Sequence, residues 1–210
     1  MQKQIITISR EMGSGGRIIG KEVADMLGYS FYDNEIIDQT AKISGFSSKQ
    51  ILKSEEKITN SLLYNIAMGT GYGLGMLTGN VRDSMPINAQ VYLEQRQAIQ
   101  SLVKKGPCVI VGRCADYILK DEPEILKCFI YSELSKRVDR AANVYGMEKK
   151  GIEKQILQAD KSRAMYYTTV TDQKWGAYNN YDLLIDSGAL GIETAVRLIV
   201  SAAKGDIKDE

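Results

Sequence analysis

The run Ser9-Arg10-Glu11-Met12-Gly13-Ser14-Gly15-Gly16-Arg17 carries the densest chemical signal in the chain. Three glycines among four residues let backbone N–H groups converge on one anion, and a helix starting there adds positive potential. Gly13, Ser14, Gly15, Gly16 and Arg17 therefore read as a phosphate cradle; a tight strand-to-helix turn alone needs fewer glycines. Arg17 brings a permanent charge, directed either to the phosphates or to a neighbouring acid such as Glu11. The loop is not an intact G-x-x-x-x-G-K-[ST] motif, because no Lys followed by Ser or Thr closes it. Lys21 lies a turn inside the helix, beside Glu22, and reads as a solvated charge. Further cations are Arg113, Arg137 and Arg140, the last two spaced i, i+3 on one helix face. Lys161 and Arg163 follow Asp160. Phosphoryl transfer spreads negative charge over equatorial oxygens, and guanidinium forks match that pattern. Asp33 could orient an acceptor or take its proton, or it could cap the helix beginning at Asn34. Tyr166, Tyr167, Trp175, Tyr178 and Tyr181 read either as core or as faces on which a base stacks.

These residues need elements to position them. Residues 4–8 form a short, β-branched, apolar strand, and residues 17–27 a helix with Ile19, Val23 and Leu27 at four-residue spacing, closed by Gly28. Residues 29–32 read as a second strand. Helical patterns follow at 34–44 and 48–57, the latter opened by a capping box of Ser47 and Gln50. Glycines interrupt the pattern at 68–85, and Pro86 precedes a long helix to about residue 105. Three more strands are predicted at 108–111, 127–131 and 182–185. Helices are predicted at 133–144, about 148–167 and 192–203, before a polar, frayed tail at 204–210. Strands alternating with helices predict a parallel sheet covered on both faces. Ligands then bind beyond the carboxyl ends of the strands. That rule selects the loop after Ile8, Asp33, the pair Gly112-Arg113 and the loop after Tyr131.

Composition narrows the chemistry. The 210 residues contain no histidine, which excludes Ser-His-Asp and Cys-His catalysis and histidine-ligated zinc. A net charge of +1 argues against a nucleic-acid coat or a membrane-surface binder, both of which need a large positive field. Cys108, Cys114 and Cys128 sit in or beside apolar runs and read as reduced, buried thiols of a cytoplasmic protein. No segment reads as a signal peptide or a membrane span.

Residues 8–27 resemble the P-loop and first helix of cytidylate kinases. Asp33 falls where those kinases carry an acceptor-site Asp. Val111-Gly112-Arg113 resembles their Gly-Arg after the third strand, and residues 127–140 their fourth strand and Arg-bearing helix. Asp160-Lys161-Ser162-Arg163-Ala164 is similar to their Arg-bearing lid segment, and residues 182–194 to their last strand and helix. The fit is best to the divergent cytidylate kinase-like group, with its pattern Ser-Arg-x-x-Gly-Ser-Gly-Gly. The resemblance implies an α/β P-loop kinase fold: a five-stranded parallel sheet with helices on both faces, an acceptor lobe and a helical lid. It implies a single domain over 1–210, with 47–86 as a divergent acceptor-side insertion and about 148–178 as the lid region. It also implies transfer of the γ-phosphoryl group of ATP, with Mg²⁺, to a small acceptor such as the nucleoside monophosphate CMP. Under it Gly13 to Arg17 hold the donor phosphates, and Arg17, Arg137, Arg140 and Arg163 neutralise the transferring group. Asp33, Arg113 and Asp160 face the acceptor. The partners implied are a nucleotide or another small phosphorylated molecule; a homo-oligomer stays open. Three departures stand out. Gly16 takes the place of the family's lysine, Ile18 that of the magnesium-binding Ser or Thr, and Val111 that of an acid. The metal ligands stay unassigned, and a nucleotide-binding module or pseudokinase without turnover is the rival reading.

Overall fold

Strand β1 (Ile5–Arg10) is buried from Ile5 to Ser9, as a strand with helices on both sides must be. The computed structural model describes residues 2–51, 87–148 and 150–206. In chain order β1 is followed by α1 (Gly16–Leu27), β2 (Ser30–Tyr32), α2 (Asn34–Ser44), α3 (Ile87–Val103) and β3 (Cys108–Val111). Then come α4 (Ala115–Ile118), β4 (Ile125–Tyr131), α5 (Leu134–Asn143), α6 (Ile152–Thr171) and a 3-10 turn at Tyr178–Asn180. Strand β5 (Leu183–Asp186), α7 (Ser187–Leu190) and α8 (Ile192–Lys204) complete it. The sheet order is β2-β3-β1-β4-β5, with every pairing parallel. This is the predicted five-stranded parallel sheet.

Alternation along the strands divides the core in two. Ile6, Ile8, Val109, Val111, Leu126, Cys128 and Ile130 face one side, packed with Ile19 and Val23 of α1 and Val196 and Ile199 of α8. Ile5, Cys108, Ile110 and Ile125 face the other, against Ile36 of α2, Ile99 of α3 and Leu119. A smaller cluster joins α5 to α6 through Ala141, Ile152 and Ile156, with Met12 of the glycine loop packed against it.

Several boundaries differ from the sequence expectation, each for a local reason. Helix α6 starts at Ile152 because Gly151 adopts a left-handed φ of 75° ahead of it, and it continues to Thr171. Strand β4 starts at Ile125, before the predicted 127, since Ile125 and Leu126 pair with Ile5 and Ile6. The four-residue helices α4 and α7 carry no periodicity that a sequence reading could detect. Ser47 and Gln50 form the expected capping box, with Gln50 N donating to Ser47 Oγ at 3.3 Å and Ser47 N donating to Gln50 Oε1 at 2.9 Å. The remainder of that helix to 57, the glycine-rich stretch at 68–85 and all but 47–51 of the acceptor-side insertion lie outside the described residues. The polar tail is described only to residue 206. Among the described residues no helix is long and apolar enough to cross a membrane.

Candidate functional site

The loop from Glu11 to Gly15 joins the central strand to α1 in a conformation only glycine adopts easily. Gly13 and Gly15 have φ of +82° and +85°, where a side chain is strained. Gly15 is the N-cap of α1; no side chain caps that end, and its first turn holds no acid. The first N–H groups of a helix have no partner within it. Those of Gly16, Arg17 and Ile18 thus open onto the loop, as an anion site requires.

The rest of the fold braces this loop. Met12 N donates to Asp160 Oδ1 of α6 at 2.7 Å. Arg137 of α5, 6% exposed, bonds Asp160 Oδ2, donates to the Met12 carbonyl at 3.3 Å and lies 3.6 Å from Glu11. Arg140 donates to the Gly13 carbonyl at 2.8 Å. Glu11 accepts from Ser132 N at 3.1 Å; burial raises its pKa, against that bond and Arg137. Ser14 Oγ donates to the Glu11 carbonyl at 2.9 Å, and Ser187 Oγ donates to the Ser14 carbonyl. Arg137, Arg140 and Asp160 thus hold the loop's own backbone. Asp160, expected to face the acceptor, sits in the clasp between α6 and the loop.

Arg17 and Asp33 come together: Arg17 Nε donates to Asp33 Oδ2 at 2.6 Å, and this bond raises the Arg17 pKa. The partner of Arg17 is therefore Asp33 and not Glu11. Asp33 occupies the N-cap position of α2, yet its side chain makes no capping bond; the arginine has taken it. Arg10 Nη2 approaches Asp33 Oδ1 at 4.0 Å. Lys21 is exposed and pairs with Asp25 on its own helix, as expected.

Beside the loop lies a cavity of about 880 Å³. Among the described residues its charged lining is Arg10, Arg113, Lys154 and Arg163, and no carboxylate lines it. Arg163 Nη1 donates to the Arg10 carbonyl at 3.3 Å. Burial first, then the like charges of Arg163 and Arg113, pull the Arg10 pKa down to about 9, against the pull of Asp33. Burial also lowers Arg113 and Arg163. An anion among these guanidinium groups relieves both penalties. Tyr145, in the loop after α5, lies in the field of Arg140, Arg10, Arg17 and Arg163.

Tyr166, Tyr167 and Trp175 also line the cavity and pack into a core cluster with Tyr92 and Val170. The core reading thus holds for Tyr166, Tyr167 and Trp175, which at the same time border the cavity. Tyr181 packs on Phe129 at 5.1 Å between ring centres, and Tyr178 is 82% exposed. Below the cavity, Asp116 accepts from Tyr167 Oη at 2.7 Å and Ser9 Oγ at 3.4 Å. Its burial raises its pKa, against these bonds.

Sequence reasoning missed Arg10, Tyr145, Asp116 and the cavity face of α6. For α6 a signal existed: Gln155, Gln158, Ser162, Arg163 and Tyr166 recur at helical spacing and all line the cavity. Arg113 belongs to a run of positive φ with Gly112 and Cys114, at 77°, 59° and 53°. Such strain in non-glycine residues clusters at functional sites.

The triphosphate of a nucleotide fits the open amides and the arginines. Among the described residues the donor set does not fit a protein-ligated magnesium ion. Glu11, Asp33 and Asp160 are each taken by a cation or an amide, and Asp186 accepts from Gly188 N and Ala189 N. Among the described residues no group of three or more acids or cysteines could hold a metal.

A parallel sheet of order β2-β3-β1-β4-β5, with a glycine loop between its central strand and first helix, defines an α/β fold of the P-loop kinase type. Within that class the chain belongs to the cytidylate kinase-like family, whose model matches residues 5–189. The fold is similar to that of an uncharacterized protein from Eubacterium ventriosum ATCC 27560, at 23% identity and a TM-score of 0.68, covering 97% of this chain and 99% of that one. It is also similar to the shikimate kinase from Acinetobacter baumannii in complex with shikimate, at 11% identity and a TM-score of 0.51, covering 100% of this chain and 97% of that one. In sequence, a shikimate kinase from Azobacteroides pseudotrichonymphae genomovar. CFP2 is 28% identical over 137 residues, which are 60% of this chain and 78% of that protein. Family and fold together are those of a nucleotide-binding phosphotransferase.

Proposed function

We propose that this protein transfers the γ-phosphoryl group of ATP to a small anionic acceptor held in the cavity, a nucleoside monophosphate such as CMP being the leading candidate. The observation that carries this is a cavity lined, among the described residues, by four cations and no carboxylate, next to an uncapped helix N-terminus. The acceptor oxygen bonds to the γ-phosphorus as the bond to the diphosphate breaks. The loop Gly13 to Arg17 holds the donor phosphates, through the open amides at the start of α1. Arg163, together with Arg17, offsets the charge of the transferring group, and Arg137 and Arg140 act by fixing the loop. Arg113 binds the acceptor anion. Asp33, beside Arg17, orients the acceptor, and it receives the proton when the accepting group is a hydroxyl rather than the phosphate of a nucleoside monophosphate. Asp160 keeps α6 on the loop, and the region 148–178 serves as the lid. Tyr166 and Trp175 offer faces for a planar ring.

A second reading, a nucleotide-binding module without turnover, is favoured by Gly16 at the lysine position, followed by Arg17 and not by Ser or Thr. One assay separates the two. ATP consumption in the presence of Mg²⁺ is followed with a panel of nucleoside monophosphates, nucleosides, shikimate and small alcohols, with binding measured in parallel. Acceptor-dependent release of ADP supports the kinase; ATP binding with no ADP release across the panel overturns it in favour of the module.

A further inference from the structure

We infer that Arg10 and Gly16 have exchanged the roles that glycine and lysine play in a standard P-loop, so that Arg10 is the cation on the donor phosphates. The inference rests on reading the loop as a triphosphate site. In G-x-x-x-x-G-K, setting the second glycine at Gly15 puts the first glycine position on Arg10 and the lysine position on Gly16. This chain therefore carries both residue types, in reverse order.

The packing shows that the two changes depend on each other. A Cβ at Gly16 would lie 2.5 Å from Arg10 Cβ and 2.9 Å from its Cγ. A side chain at 16 and an arginine stem at 10 cannot both fit. Further out, the Arg10 guanidinium lies over Gly112, where a Cβ would collide with Nη1 and sit 3.2 Å from Cζ. Two glycines from different segments, one opening α1 and one following β3, thus form a slot for this one side chain.

The slot delivers a guanidinium that remains available. It lines the cavity beside Arg113 and Arg163. Its approach to Asp33 is 4.0 Å, beyond hydrogen-bond length, while Arg17 holds that carboxylate at 2.6 Å. Its stem starts at the carboxyl end of β1, one loop away from the open amides of α1. A planar fork there can bond two phosphate oxygens at once, which an ammonium cannot.

The test uses inorganic tripolyphosphate, which has no nucleoside and needs no acceptor, alongside ATP turnover. Arg10→Ala should weaken tripolyphosphate binding about tenfold or more and lower turnover roughly 100-fold. Arg10→Lys should recover part of both, and Arg17→Ala should lose less than Arg10→Ala. The decisive comparison is reciprocal. Arg10→Gly should bind tripolyphosphate weakly, and Arg10→Gly/Gly16→Lys, which restores the common order, should regain most of the affinity. Gly16→Lys alone meets the Arg10 stem and should lower Tm. The inference is overturned if Arg10→Ala binds tripolyphosphate like the wild type, or if the double variant binds no better than Arg10→Gly. Arg10-dependent tripolyphosphate binding with no acceptor phosphorylated leaves the inference standing and removes the kinase reading. Wild-type turnover in Arg10→Ala does the opposite.

Discussion

Asp116 is a carboxylate buried to 3% exposure and held by two hydroxyls, and burial raises its folded pKa above the ordinary value. The native state therefore keeps the proton longer than the unfolded chain does. The stabilisation is full below the ordinary carboxylate range and is lost as pH rises through the folded value. Asp116→Asn, which keeps the shape without the charge, should gain Tm relative to wild type as pH rises from about 4 to 7; a difference that is flat or runs the other way sinks the idea. Arg163 lines the cavity itself. Its Nη1 bonds the Arg10 carbonyl, and under the proposed function this holds its charge beside the transferring group. Arg163→Ala should lower turnover far more than ATP affinity, and an equal loss in both would assign it to ground-state binding. The sequence makes Arg163 visible, because it follows Asp160 on a helix. It conceals Arg10, because an arginine ending a strand has the same appearance whether it faces solvent or a slot between two glycines. That slot exists only once β3 lies beside β1.

At the scale of elements, α6 does more than cover the cavity. Asp160 ties it to the loop amide of Met12 and to buried Arg137, across 148 residues of chain in the first case. Removing one partner of a buried pair leaves a charge uncompensated. Asp160→Ala should therefore cost about 3 kcal/mol, read by urea unfolding, with Asp160→Asn costing less. If the alanine variant unfolds at the wild-type urea midpoint, the clasp does not hold the loop. Contacts at such separation leave no trace in local spacing, so the clasp role of Asp160 could not be read from the sequence. Elements with a clear period were legible: α2 falls at the residues read from sequence, 34–44, and β3 at 108–111. Short helices such as α4 were not, since four residues make barely one turn.

For the molecule as a whole, the parallel order with β1 in the centre brings the loops after β1, β3 and β4 to one edge. The alternation of strands and helices was enough to expect this; which charges meet there depended on tertiary packing. The same central placement governs the thiols. Cys108 and Cys128 are fully buried on the two strands that flank β1, while Cys114, 5% exposed, borders the cavity. Burial pushes the Cys108 pKa up to about 11 and raises the other two as well. Alkylating reagents need a thiolate within reach, so the folded protein should be nearly silent to them. The three sulfurs thereby act as a built-in clock. Cys114 should report breathing of the cavity wall, and Cys108 and Cys128 should report separation of the sheet itself. Mass spectrometry during alkylation should show one adduct appearing first and the remaining two later, together. Tripolyphosphate should delay the first, with the later pair still appearing together; simultaneous modification of all three would mean that the cavity wall and the sheet open as one unit.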